Sequence, residues 1–482
     1  MRLPDRLDRP AFLVAISAIL AAPCLIFADA PLFDLPVHIA RQHILYDPSI
    51  AIAREHYQVL WRVLPNLALD LFVWVCHFAL TIEQSVRLFL AVTVVQLFLG
   101  AVALNRALFG ANGRFGIYAM LLPYSGLFLI GLINLCFGVG LSLWVFALWI
   151  RLRGTRYGFL PCGLLAILVL LSHLYAFGLY ALLVGGHALG EAVSPEPARP
   201  LPRRLLPFAG DVAHLAIPVA FYFGFVPRGF NDFLPVFWEP KEKIWAFFTT
   251  LGVYNLTFDM ACLVVVIYLL MVTRRRLVLA PPMRVPLACL AVAFLVLPYQ
   301  LGQATWVDAR VPSTFAIILV ASLNWKDAER RHPVADTLIG GLFLVRMAVM
   351  AIQWWGCQPV YAAYHAAFLL MEPGAKLLPI NTHPSELRAA ERPPVPHMDA
   401  IAVSERGAYI PTMLADRPYE LLHYTPRDRA LHASFDDDPA IADYDYVLIE
   451  DPDAVGIPAG VEPIYRGPGF VLGRVGARTG SP

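Results

Sequence analysis

Residues 29–61 read DAPLFDLPVHIARQHILYDPSIAIAREHYQVLW and form the first polar stretch after the first apolar run. A helix that begins at Leu35, with Pro36 tolerated in its first turn, sets Asp34, His38, Arg41 and Leu45 three or four residues apart on one face. An acid, an imidazole and a guanidinium then converge beside a membrane. Such a trio can abstract a proton, bind a cation or grip a phosphate. The plainer alternative is an amphipathic interfacial helix whose charges simply face water.

What surrounds this stretch is a membrane protein. Hydrophobic residues make up 58% of the 482 and charged residues 15%, and the mean hydropathy is +0.61, whereas soluble domains run near a quarter charged. Apolar runs at 11–28, 63–80, 86–104, 116–150, 158–172, 173–190, 206–226, 258–273, 285–302, 310–324 and 335–353 predict an α-helical polytopic domain over residues 1–353, with about 11–13 crossings and a large first external loop at 29–62. The 116–150 run carries Pro123, Gly126, Gly131, Asn134, Gly138 and Gly140. It suits a broken or re-entrant helix counted as one passage, or three crossings.

Charge is unevenly placed, with 27 Lys and Arg against 19 Asp and Glu up to Met371, and 10 against 17 from Glu372 onward. The basic loops around Arg151, Arg203, Arg274 and Lys326 fall on one side, which the positive-inside rule makes cytoplasmic. The 29–61 loop, the aromatic loop 226–258, the turn 302–310 and the tail then lie opposite, at the outer face of the cytoplasmic membrane. Trp238, Trp245 and Tyr254 read as an interfacial belt. No basic run interleaved with aromatics points to nucleic acid, and the HExxH and GxxxxGK[ST] patterns are absent.

From Pro373 the composition becomes that of a small soluble α/β domain, residues 373–482. Strands are expected at 375–380, 400–403 and 444–449, with a hairpin of 462–465 and 469–475 turning through Gly467-Pro468-Gly469; helices are expected at 385–390 and 404–414. Asp436-Asp437-Asp438 lacks the glycine and glutamate of a calcium loop and reads as a solvated acidic turn.

Further candidates lie along the membrane part. Asp308 and Arg310, two apart at the mouth of a span, can pair with each other or bind a phosphate, and His173 stands at the turn between two short spans. Asp70 and His77 lie inside an apolar run, where ionisable groups face protein or a water-filled cavity.

The loop FDLPVHIARQHIL resembles the acid-bearing first external loop of the GT-C class of membrane glycosyltransferases. So does the plan of many spans, a large first outer loop, aromatic interfacial loops and a C-terminal soluble domain. The loop also resembles that of uncharacterised bacterial multispanning proteins with a D-x-P-x-H-x-A-R motif. The resemblance implies transfer of a sugar from a polyprenyl-phosphate-linked donor to a glycan, lipid or protein acceptor on the extracytoplasmic face, among membrane lipids. By position, the general base or metal ligand of the class falls on Asp34, with His38 beside it; Arg41, Arg310, Asp308 and His173 are the candidates for substrate binding. A divalent cation, Mg or Mn, would be held by Asp34 if by any residue, and no second acid stands next to it. A transporter or flippase built on Asp70, His77 and the broken 116–150 segment is the alternative enzyme-free reading, and a membrane-anchored assembly factor working through its tail is another.

Overall fold

The computed structural model describes residues 10–155, 157–192, 201–227, 236–302, 304–327, 332–380, 397–416, 420–435 and 440–476. Its helices run in order α1 Pro10–Ile26, α2 Leu35–Tyr46, α3 Ala68–Cys76, α4 Ile82–Phe109, α5 Gly126–Leu129, α6 Ile133–Leu152, α7 Phe159–Ser172 and α8 Leu174–Ala192. They continue as α9 Leu201–Val212, α10 Ala216–Phe225, α11 Pro240–Phe248, α12 Leu256–Thr273, α13 Arg284–Val296, α14 Arg310–Ser322, α15 Pro333–Phe368, α16 Ala400–Arg406 and α17 Pro426–Phe435. Among the described residues, five segments are long and apolar enough to cross a membrane: α4, α6, Pro207–Phe225 from the end of α9 through α10, Leu256–Arg276, and α15. Shorter apolar helices cover Pro10–Ile26, Phe159–Ser172, Pro281–Val296 and Arg310–Ser322. The chain is a multi-pass membrane protein with a small strand-containing C-terminal part.

It divides into two compact units. The first comprises Met1–Ile26, Val63–Leu69 and Leu88–Ala351; the second comprises Phe27–Arg62, Asp70–Arg87 and Ile352–Pro482. This differs from the division expected from sequence, which left the 29–62 loop with the membrane domain and began the tail domain at 373. The reason is pairing. Tyr57–Val59 adds an antiparallel strand to Leu422–Tyr424, and Val37, Ala40, Ile44, Ala53 and Tyr57 share one hydrophobic core with α16 and the C-terminal sheet. Helix α15 also runs on past the expected end at 353, so that its residues from Ile352 belong to the second unit.

Two apolar runs behave differently from expectation. The 63–80 run yields only α3, nine residues or about 14 Å of helix, too short for a bilayer core. The 116–150 run passes along the bundle twice, rather than once or three times. Gln96 Nε2 donates to the Phe137 carbonyl at 2.9 Å, and a Cβ on Gly100 would stand 3.0 Å from the Gly140 carbonyl. Positions 96 and 100 thus meet 137 and 140 in ascending order, so α4 and α6 run parallel and residues 110–132 must bring the chain back.

That return is tied at both ends. Asn105 Nδ2 donates to the carbonyls of Ala321 and Leu323 at 2.9 and 2.8 Å. At the far end Asn134 accepts from the Leu69 N–H at 2.8 Å and donates to Asn66. The returning chain is a 3-10 turn over Phe115–Leu121 followed by the single turn of α5, nearly all buried. Irregular backbone of this kind is tolerated at membrane depth only when protein shields it.

The second unit holds a four-stranded sheet in the order Leu377–Ile380, Tyr446–Glu450, Phe470–Val475, Val461–Gly467. The first pair is parallel and the others antiparallel. Tyr446–Glu450 is buried along its whole length. The hairpin turns through Pro468 and Gly469, where a φ of +81° requires glycine. Residues 400–403, expected as a strand, open helix α16 instead; four consecutive buried residues look alike in a central strand and a buried short helix. The helix stops at Gly407, whose φ of +62° gives a left-handed cap. The helix expected at 404–414 therefore ends at Arg406, and Tyr409 bridges to Lys376 in extended form. The expected helix 385–390 and the acidic turn 436–438 lie outside the described residues.

Candidate active site

Helix α2 starts where the sequence places it. Asp34 is its N-cap and Pro36 sits in the first turn, where a missing N–H costs nothing. The His38 N–H bonds back to the Asp34 carbonyl at 3.1 Å. The helix is no surface amphipath: Val37, Ala40, Arg41, Gln42, His43 and Ile44 are all buried, while Asp34 and His38 are half-buried.

The face-sharing trio is consequently split by environment. Arg41 turns inward, donating through Nε and a terminal nitrogen to the two oxygens of Asp70 at 3.0 and 2.7 Å, and through the other nitrogen to Glu420. Gln42 adds a bond to Asp70 at 2.8 Å, and the Tyr46 hydroxyl donates to the Asp70 carbonyl at 2.9 Å. All three charged groups are nearly inaccessible. A guanidinium committed to two carboxylates in this way has a structural task in place of the phosphate contact expected of it. Asp70, read from sequence as part of a transporter's binding site, is the anchor of that task, and His77 stacks on Tyr46 at 5.1 Å.

Asp34 faces a residue that sequence reasoning missed. His397 Nε2 lies 3.7 Å from Asp34 Oδ1, and its ring meets Phe33 edge-on at 5.3 Å. Both side chains keep about a fifth to a quarter of their surface accessible, 20% for Asp34 and 24% for His397. The backbone of His397 is left-handed, φ +59°, a conformation uncommon outside glycine that concentrates at functional sites. The only sequence cue was its place just after Pro393-Pro394-Val395-Pro396 and two residues before Asp399.

The second unit also carries several buried or partly buried acid–imidazole contacts. His43 is held between Asp47 at 2.8 Å and Glu83 at 2.7 Å; burial opposes its charge, but the two carboxylates win and raise it above the ordinary imidazole value. His56 bonds to Asp428 at 2.7 Å and to the Gly374 carbonyl at 2.8 Å, and Lys376 reaches Asp428 at 3.2 Å. Burial alone would lift the Asp428 carboxyl, yet His56 and Lys376 hold it below the usual range. Asp399 goes the other way. Fully buried, it is pushed up to about 6 by desolvation, a hydrogen bond from Thr412 opposing and the nearby Glu450 charge reinforcing.

The remaining candidates belong to the first unit. Asp308, completely buried, pairs with Lys243 at 3.0 Å, and the same ammonium donates to the carbonyls of Phe294 and Leu297 at 2.8 and 2.6 Å. Arg310 donates to the Thr305 carbonyl at 3.1 Å. His173 accepts from the Tyr175 N–H at 3.0 Å. Lys243 carried no sequence signal beyond its place among mixed charges. Of the expected belt, Trp238 is exposed and Trp245 half-buried, but Tyr254 is buried with its hydroxyl 3.4 Å from the Leu129 carbonyl.

Among the described residues, no group of three or more His, Cys, Asp or Glu side chains is placed to hold a metal ion.

No family model matches the sequence, and no curated protein matches it. Solved structures do. ArnT from Cupriavidus metallidurans in the apo state is similar over 98% of this chain and 98% of its own, at 13% identity and a TM-score of 0.51. ArnT bound to undecaprenyl phosphate gives 13% identity and a TM-score of 0.49 over 98% of this chain and 99% of its own. The arabinofuranosyltransferase AftD from Mycobacteria is similar over 98% of this chain at 15% identity and a TM-score of 0.42, and the chain spans 42% of AftD's length. The likeness to apo ArnT is one of fold: this chain has the fold of the GT-C class of membrane glycosyltransferases.

Proposed function

We propose that the protein transfers a sugar from a polyprenyl-phosphate-linked donor to an acceptor hydroxyl at the outer face of the cytoplasmic membrane, with Asp34 as general base. The observation that carries this reading is Asp34 itself. It is a partly accessible carboxylate at the start of α2, beside the strained His397, on a chain with a GT-C fold. The acceptor oxygen attacks the anomeric carbon, the bond from that carbon to the phosphate oxygen breaks, and its electron pair leaves with the polyprenyl phosphate. The acceptor proton passes to Asp34. His397 is a positioning residue: its ring fixes where the Asp34 carboxylate points and supplies a nearby polar group as the proton arrives.

Two observations favour an enzyme over a transporter. Asp70 is locked in a buried ion pair, and α3, which carries it, is too short to cross. The ArnT structure bound to undecaprenyl phosphate makes a polyprenyl phosphate the first donor carrier to try. The experiment is direct: purified protein in proteoliposomes is supplied with polyprenyl-phosphate sugars, and release of free polyprenyl phosphate is followed with and without an acceptor extract. Acceptor-dependent release supports the proposal; release from none of a broad sugar panel, with folded protein, counts against it.

A further inference from the structure

A second site emerges in the first unit, independent of Asp34. A cavity of about 300 Å³ lies between the end of α6, the turn into α7 and helix α9, lined among others by Trp149, Arg153, Phe159, Gly210, Asp211 and His214. Asp211 is the unusual member. It stands one turn into an apolar segment, Pro207–Phe225, long enough to cross a membrane, where an ionisable side chain is costly and is kept for a partner.

The other polar groups around the cavity are engaged. Arg153 donates to His187 Nδ1 at 3.1 Å and to Glu191, and its guanidinium lies over the Trp149 ring at 5.5 Å. Trp149 Nε1 donates to the Asp211 backbone carbonyl at 3.2 Å. His214 contacts the Tyr180 hydroxyl at 2.8 Å and the same carbonyl at 3.0 Å. The Asp211 carboxylate itself receives no hydrogen bond from any described residue. Among the described residues of the lining, Arg153 is paired to Glu191 and acts on Asp211 only through its charge, so the Asp211 carboxylate is open to a cationic N–H donor.

The rim indicates where such a donor comes from. Tyr157, Phe159 and Leu160 are exposed by 60%, 48% and 57%, an apolar lip that in a membrane protein meets acyl chains. Arg153 keeps a quarter of its side chain accessible, so a phosphate can rest at the mouth. We propose that this cavity binds the headgroup of an aminophospholipid, its primary ammonium on the Asp211 carboxylate and its phosphate toward Arg153.

The test uses the full-length protein in detergent, titrated with short-chain phosphatidylethanolamine, phosphatidylcholine and phosphatidylglycerol, and with free phosphoethanolamine. Phosphatidylethanolamine should bind at least tenfold more tightly than each of the others, because it alone joins an N–H-bearing cation to acyl chains. Asp211→Asn should erase that preference. Gly210→Leu should do the same without touching charge, since a Cβ at Gly210 meets no atom within 4 Å and the larger side chain would fill the cavity; it decides the matter should Asp211→Asn fail to fold. Equal binding of phosphatidylethanolamine and phosphatidylglycerol, equal binding of free phosphoethanolamine, or an undiminished preference in a folded variant would each overturn the proposal.

Discussion

Arg41 holds Asp70 by two hydrogen bonds, at 3.0 and 2.7 Å, in a setting where the two side chains are 7% and 1% accessible. Removing the cation strands Asp70 and Glu420 as buried charges, which costs about 3–5 kcal/mol. Arg41→Ala should therefore lower the thermal unfolding temperature sharply, and Arg41→Lys should rescue little, because a lysine cannot reproduce the two-pronged contact. A folded, equally stable Arg41→Ala protein that had lost only substrate affinity would assign Arg41 to the ligand instead.

His43, between Asp47 and Glu83, gives a pH signature. Its folded value lies above the 6.5 of a free imidazole, so its contribution is complete below 6.5 and is lost as pH rises through the folded value. Unfolding temperature should fall from pH 6 toward alkaline pH, and His43→Gln should flatten that decline. An unchanged slope in the variant would remove His43 as its source.

Asp399 acts in a lower window. Its folded value of about 6, against 3.8, means that the folded chain holds the extra proton and that stability declines as pH rises from about 4 to 6. Two pKa units correspond to about 3 kcal/mol. Asp399→Asn should raise stability at pH 7 by up to about that amount and change little at pH 4, measured by thermal unfolding at both. A loss of stability at pH 7 would show that the ionised carboxylate is needed.

Much of this was legible from residues alone, because the signals are local. Asp34 and Pro36 announce the start of α2, and Gly467-Pro468-Gly469 announces the hairpin. What stayed hidden depends on partners distant in sequence. The 63–80 run looks like a span until Arg41 claims Asp70 and Asn134 ties down residues 66–69. The doubled passage in 116–150 is decided by the close approach of Gly100 to Gly140, which no single window of sequence contains. His397 comes to Asp34 from more than 360 positions away, with no pattern to mark it. Residues 400–403 failed for a different reason: a buried run of four carries no periodicity to separate strand from helix.

The orientation proposed from the basic loops is testable on its own. Alkaline phosphatase fused after Pro373 should be active, and a cytoplasmic reporter at the same point should be silent. The opposite pair of results would place the second unit, and Asp34 with it, in the cytoplasm.

The most direct test of the proposed chemistry is the turnover of Asp34→Asn with a donor and acceptor that the unaltered protein uses. The substitution keeps shape and removes the base, so transfer should fall by about 10²-fold or more, while binding of the polyprenyl-phosphate donor stays within a few-fold. His397→Gln should cause a smaller loss and shift the pH–rate profile, as expected of a group that acts through Asp34. Normal turnover by folded Asp34→Asn would contradict the assignment of Asp34 as the catalytic base.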